Sequence, residues 1–372
     1  MTHRFTDRLD TARIRSELEQ MVAVSSPSGD HPGAERVLEL CRAFMPSRTG
    51  HQRLPCATSS CADDQLSLLH GSGSGKLLLL GHIDTVFAHA EHQRPRLEGD
   101  RLYGSGTIDM KGGVALALAV ARALDPASYE QLALLLVCDE EWRTVKFTHA
   151  ERFGDYDACL CFEAGEHTEQ GEAGVITTRK GAGTLRLRAH GRAAHAGAAP
   201  WEGRNALLAL AHVALTIERE HDPEGPRRLS VVPTVLNSGC ATNVVPAGGE
   251  LVVDMRAADT AAFEELLAVV PREYEGVELE AIMERVWPAM NSALPAAPLL
   301  RAAGTRYGAP IIARSRGGAS DASNFAALIP LTLDGLGPVG GCAHSPQEFV
   351  ELESLGERTA VALAIAEAVL DR

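Results

Sequence analysis

Residues 76–113, KLLLLGHIDTVFAHAEHQRPRLEGDRLYGSGTIDMKGG, decide the fold. Lys76 to Leu80 is a short apolar run that reads as a buried strand. It ends at Gly81 and delivers His82-Ile83-Asp84. Residues two apart in an extended segment share a face, so the His82 ring and the Asp84 carboxylate can point the same way. A carboxylate behind a histidine fixes its tautomer, the usual support of a metal ligand. Gly106-Thr107-Ile108-Asp109 then forms a turn with one acid, and Val114 to Leu124 follows with helical periodicity. Alone, the His-x-Asp pair reads equally well as a polar pair at a strand end, and Asp109 as a helix cap.

Working outward, the same pattern recurs. Gln131 to Cys138 is a second apolar run and enters Asp139-Glu140-Glu141, while Asp157 to Phe162 is a third and ends in Glu163. With helical segments between them, these runs predict an α/β fold built on a doubly wound, mostly parallel sheet. Such sheets gather side chains at the C-terminal ends of their strands. Helices are expected at Asp10–Val24 and from about Pro32 to Phe44, with a short strand near Leu66–Leu69.

After about residue 180 the style changes. Thr184–His190, Leu229–Leu236 and Gly249–Arg256 alternate apolar and polar residues, and helices are expected at Asn205–Glu220 and Ala261–Val270. This is an α+β segment inserted into the first domain. The expected division is therefore 1–179 and 293–372 for the site-bearing domain and 180–292 for the insert. From Pro295 the doubly wound style returns, with helix 296–307, a strand near 309–313, helix 321–328, strand 330–334 and a final helix over 353–371.

The 372-residue length supports two domains. A formal net charge of −14 disfavours nucleic acid and anionic membranes as partners, since both repel it. Residues 1–14, MTHRFTDRLDTARI, lack a continuous apolar core of a leader, and no stretch reaches a membrane span, so a cytoplasmic chain is expected. The eight cysteines form no Cys-x-x-Cys pair and read as free thiols, most of them buried.

His82, Asp109, Glu140, Glu141, Glu163 and His344 together offer two histidines and several carboxylates. That set suits two divalent ions about 3.5–4 Å apart, one acid being shared. Nitrogen and oxygen donors without thiolate suit zinc, with cobalt or manganese also able to fill the site. Adjacent acids at a strand end diverge, so of Glu140 and Glu141 one can bind metal and the other act as a base.

The sequence resembles the co-catalytic zinc metallopeptidase and amidohydrolase family of glutamate carboxypeptidases, aminoacylases, acetylornithine deacetylase and succinyl-diaminopimelate desuccinylase. The resemblance spans nearly the whole chain through GHIDTVF at 81–87, GTIDMKGG at 106–113, DEE at 139–141, GRAAHAG at 191–197, GRNA at 203–206, TNVVP at 242–246, DMR at 254–256, GGASD at 317–321 and GCAHSP at 341–346. It implies a zinc domain split by a lid domain that commonly dimerises, giving a homodimer through the insert. It implies that Asp109 bridges the two ions, His82 and Glu163 completing one site and Glu141 and His344 the other. Asp84 would orient His82, and Glu140 would be the general base. The bond after Asp109 would be cis. His195 would stabilise an oxyanion, often in the partner subunit's site, and Asn243 and Arg256 would hold a substrate carboxylate, with Arg316 as a further anion contact.

The implied reaction is hydrolysis of a small amide or dipeptide beside a free carboxylate, as in a glutamate carboxypeptidase. The alternatives are an N-acyl-amino-acid deacylase or a dipeptidase, and, from another class, a metal-free dimeric binding protein. One departure stands out: where the family usually has small residues after the paired acids, this chain has Trp142-Arg143-Thr144, which places bulk beside the base. Glu166 is a second acid near Glu163, which is preferred because it falls at the strand end. His89, His92, His149 and His167 lack supporting neighbours and read as solvated.

Overall fold

The structure is a computed structural model that describes Phe5 and residues 8–371; the N-terminal stretch read as lacking a leader lies partly outside them. Contacts divide the chain into two units, one of residues 1–178, 290–316 and 320–372, the other of 179–289 and 317–319.

The first unit is built on a six-stranded sheet. Its strands include β1 (Gly50–Leu54), β2 (Asp64–His70), β3 (Gly75–His82), β4 (Tyr129–Val137) and β5 (Ala158–Cys161), in the order β1-β2-β4-β3-β5 followed by Thr332–Leu333. From β4 to Thr332–Leu333 every pairing is parallel, whereas β1 and β2 add antiparallel at one edge. The sheet is therefore mixed α/β and mostly parallel, as the apolar runs predict.

Period-two alternation explains why those runs are continuous. Leu77 and Leu79 of β3 enter one core with Leu132, Leu134 and Leu136 of β4, and the helices Lys111–Ala123 and Leu352–Leu370 cover that face. Leu78 and Leu80 enter the opposite core with Phe147, Phe153 and Phe325. A sheet buried on both faces leaves its strand ends as the place for polar side chains. The registers align those ends, since His82 pairs with Val137 and Leu80 with Cys161.

Helix α1 (Thr11–Val22) and helix α2 (His31–Phe44) start on side-chain caps, Asp10 accepting from the Arg13 N–H and Asp30 from the Gly33 N–H. Helix α3 (Lys111–Ala123) is rich in small residues and buried along almost its whole length. Its start must press onto the end of β5, because a Cβ at Gly113 would lie 1.8 Å from the Phe162 carbonyl oxygen. The glycine thus lets the Asp109 turn approach the Glu163 strand end.

The second unit is an antiparallel sheet containing β6 (Gly181–His190), β7 (Ser230–Ser238), β8 (Gly248–Ala257) and β9 (Val277–Trp287), ordered β7-β8-β6-β9 with Glu273–Tyr274 at the far edge. Helices α4 (Ala206–Glu218) and α5 (Ala261–Val269) bury one face against Leu185, Leu187, Leu251 and Val253. The other face carries charge, with Arg186 pairing across strands to Glu250 and Glu284. Strand β9 was not anticipated; its three glutamates and arginine mask an alternation in which Val277, Leu279 and Trp287 point inward. Among the described residues no helix is long and apolar enough to cross a membrane.

Candidate metal centre

The strand ends and two loops bring five of the expected donors together. Asp109 stands between two histidines: its Oδ1 is 3.1 Å from His82 Nε2 and its Oδ2 is 3.1 Å from His344 Nε2. Each histidine has a further carboxylate. Glu163 Oε1 is 3.8 Å from His82 Nε2, and Glu141 Oε1 is 3.1 Å from His344 Nε2. The arrangement is two donor trios, each containing one imidazole nitrogen and one carboxylate besides Asp109, joined by the two oxygens of Asp109; Glu141 also lies within 4.8 Å of the His82 and Asp109 donors. The Asp109-Met110 peptide bond is cis.

These residues fit divalent ions. Donors bound at ~2.0–2.2 Å to one tetrahedral ion are separated from each other by little more than 3 Å, which matches the spacings found. The electrostatics agree. Hydrogen bonds to Asp109 and Glu141 push His344 up to about 10. Burial works against charge on His82, yet its bonds to Asp109 and Asp84 hold its pKa well above the ordinary value. The cluster is built to stabilise positive charge at its centre.

Asp84 does more than orient a ring. His82 Nδ1 lies 3.1 Å from the Asp84 carbonyl and 3.3 Å from its Oδ1, which keeps the Nδ1 proton on that side and Nε2 facing Asp109. The same carboxylate accepts from the backbone N–H groups of Glu140 and Glu141, both at 3.2 Å, and from the Ser28 hydroxyl at 2.6 Å. One buried acid therefore fixes His82 and the turn that carries the paired glutamates. Burial raises the pKa of Glu140 well above the carboxylate range, with Asp321, Glu163 and Glu141 adding like-charge repulsion.

Two supporting residues escaped the sequence reading. Glu348, 2% exposed, accepts backbone N–H bonds from Gly106, Ile108 and Asp109 at 3.0, 2.9 and 3.1 Å. It lies four residues beyond His344 and so ties the His344 loop to the Asp109 turn; a lone acid in such a loop carries no periodic signal. Arg143, also buried, bonds Asp139 at 2.8 Å, pairs with Asp321, and lies 4.7 Å over the Phe147 ring. The Trp142-Arg143 departure thus splits in two, one side chain buried as a counter-ion and the other, Trp142, half exposed.

The remaining candidates lie apart from these donors in sequence. Arg316 donates to Glu166 and to the carbonyls of Ala164 and Gly165, bracing the segment after Glu163. In the second unit, the His195 backbone pairs with Val244, and Ala196 N–H donates to the Asn243 carbonyl. His195 Nδ1 accepts from the N–H groups of Gly197 and Ala198, each 3.1 Å away, which leaves the proton of the neutral ring on Nε2. Arg256 forms a two-point ion pair with Asp254.

Three of the four histidines read as solvated need correction. His89 is exposed, but His149 is buried against Asp64 at 3.2 Å, and His167 pairs with Glu357 at 3.0 Å. His92 is half-buried, and burial lowers its pKa to about 4. Their partners are distant in sequence, so no local pattern announced them.

Comparison with known proteins comes to the same chemistry. The sequence profile described as Peptidase family M20/M25/M40 matches residues 78–368. The chain is 26% identical over 362 residues to carboxypeptidase G2 of Pseudomonas sp. (strain RS-16), covering 92% of this chain and 85% of that one. It is 29% identical over 365 residues to succinyl-diaminopimelate desuccinylase of Xanthomonas campestris pv. campestris, covering 89% and 93%. Aminopeptidase PepT of Bacillus cereus superposes with a TM-score of 0.81 at 18% identity, over 97% of this chain and 99% of that one.

Proposed function

Because the chain belongs to peptidase family M20/M25/M40 it is a metal-dependent hydrolase of amide or peptide bonds, and we propose that it cleaves an amide beside a free carboxylate, in the manner of a glutamate carboxypeptidase. The observation that carries this reading is the placement of the two Asp109 oxygens, each 3.1 Å from a different histidine. His82, Asp109 and Glu163 would hold one ion and His344, Asp109 and Glu141 the other, zinc suiting the donors best and cobalt or manganese next. Bound there, the ions would supply Lewis acidity toward the scissile carbonyl and acidify water.

The chain's own residues do the rest. Glu140, free of the donor trios, takes the proton of the attacking water on its carboxylate and passes it to the leaving nitrogen. Asp84 keeps Glu140 and His82 in register through its backbone and imidazole contacts. His195, with Nε2–H free to donate, stabilises the developing oxyanion. Asn243 and Arg256 hold the substrate carboxylate, Arg256 exchanging Asp254 for it, and Arg316 adds positive charge.

A homodimer through the insert accompanies this reading. It is supported by edge strand β7, whose Val232, Val235 and Leu236 are exposed beside unpaired backbone. The protein would work in the cytoplasm on small molecules, not on nucleic acid or membranes. N-acyl-amino-acid deacylation or dipeptide hydrolysis is the alternative within the same chemistry. A panel of N-acyl amino acids and dipeptides, assayed with and without chelator, tests the proposal: turnover confined to carboxylate-bearing amides and abolished by chelation is expected. Hydrolysis that survives complete metal removal would overturn it.

A further inference from the structure

Beside Glu141 lies a cavity of about 360 Å³, walled by Pro27, Ser28, Val86, Ala88 and Trp142. Trp142 is 52% exposed and Val86 44%, large apolar surface left open next to a metal-ligand candidate. The indole does not hang loosely. Its backbone N–H bonds the Asp139 carbonyl, the preceding Glu141 N–H is held by Asp84, and the ring rests on Gly29, where a Cβ would fall 2.3 Å from Trp142 Cζ3. Gly29 has φ +83, so the position favours glycine and leaves the ring its seat.

Two polar side chains at the cavity are already engaged, and a third is sealed away. The Ser28 hydroxyl donates to Asp84, Glu141 Oε1 faces His344, and Thr85 Oγ1 is turned out of reach of solvent. Most of what faces the space is carbon, from proline, valine, alanine and the indole. A flat apolar group placed there would stack on the indole.

We propose that this cavity is a subsite for the acyl side of the substrate and takes a planar apolar acyl group against Trp142. The assignment rests on the reading above, in which the substrate carboxylate belongs to residues of the insert and the acyl side to the metal-bearing unit. Trp142 is then a specificity-determining residue, one turn position away from the ligand Glu141.

The test uses the full-length, metal-loaded protein and two substrates that differ only in acyl group, the N-benzoyl and N-acetyl derivatives of the same amino acid. W142A lowers kcat/KM for the N-benzoyl compound about tenfold to a hundredfold and leaves the N-acetyl compound within about threefold, while W142F retains most of the benzoyl activity. Equal losses on both substrates, or a gain on the benzoyl compound, would overturn the subsite. A second measurement needs no turnover. Of the chain's three tryptophans, W201F/W287F leaves only Trp142, and benzoate should quench its fluorescence saturably where acetate does not, in metal-stripped protein as well. Absence of saturable benzoate quenching overturns the subsite even if hydrolysis is found. Quenching without hydrolysis of any N-acyl amino acid or dipeptide keeps the subsite and overturns the proposed reaction.

Discussion

Replacing Arg143 by methionine should destabilise the metal-bearing unit severely. The guanidinium bonds Asp139 and pairs with Asp321, and all three side chains are at most 5% exposed. Methionine fills much of the volume but strands two buried carboxylates. Breaking a buried pair from one side costs ~3–5 kcal/mol, a large share of the ~5–15 kcal/mol that holds a domain folded. With a urea dependence of ~3 kcal/mol/M, the unfolding midpoint should fall by roughly 1–1.7 M. The pH dependence has a definite sign. Burial already raises Asp321 to about 6 against the pull of Arg143, and removing the arginine raises it further. A raised carboxyl penalises the fold above its pKa, so the deficit is largest at alkaline pH. It shrinks as the pH falls toward 6, where Asp321 takes up its proton in both proteins. Urea titrations of metal-free wild type and variant at pH 8 and pH 6 measure this. A midpoint shift below about 0.3 M, or a deficit that grows on acidification, would refute the account of Arg143 as the counter-ion of this buried cluster.

Three further outcomes are expected. Glu348→Gln should weaken metal binding by about 10–100-fold, read by competition with a chromogenic chelator, because it puts an amide against the N–H donors that shape the Asp109 turn; unchanged affinity would make Glu348 a bystander. Asp109→Ala should lose both ions, since it removes the donor common to both trios, and stoichiometric metal in that protein would contradict the bridging role. His195→Ala should lower kcat at unchanged metal content, by about 10²–10³-fold if it serves as an oxyanion donor. If it acts across a dimer, mixing it with Glu140→Gln should restore part of the activity, and confirmed subunit exchange without recovery would reject that sharing.

Much of the metal-bearing fold was legible because its strands are buried on both faces and therefore read as unbroken apolar runs. The run at Lys76–Leu80 lies inside β3, Gln131–Cys138 overlaps β4, and Asp157–Phe162 brackets β5. The convergence of His82, Glu141 and Glu163 follows from the parallel register of those strands. What stayed hidden depends on distance in sequence. Nothing local tells that Arg143 would bury itself against Asp321, that His149 would meet Asp64, or that Glu348 would reach back to Gly106. In the insert the signal is weaker still, because β9 shows charge on one face and only Val277, Leu279 and Trp287 mark the other. Segments Gly50–Leu54 and Ala173–Arg179 were likewise missed, the first being a short, largely exposed edge strand.

The central claim is that two ions lie between these donors while Glu140, beside them but not among them, moves the proton. Metal content and turnover measured together on wild type and Glu140→Gln test it most directly. The account predicts two divalent ions per chain in both proteins and a fall in kcat of about 10²–10⁴-fold in the variant, since an amide keeps the shape but cannot accept the proton. Near-wild-type turnover in fully metallated Glu140→Gln, or loss of an ion with that one substitution, would contradict it.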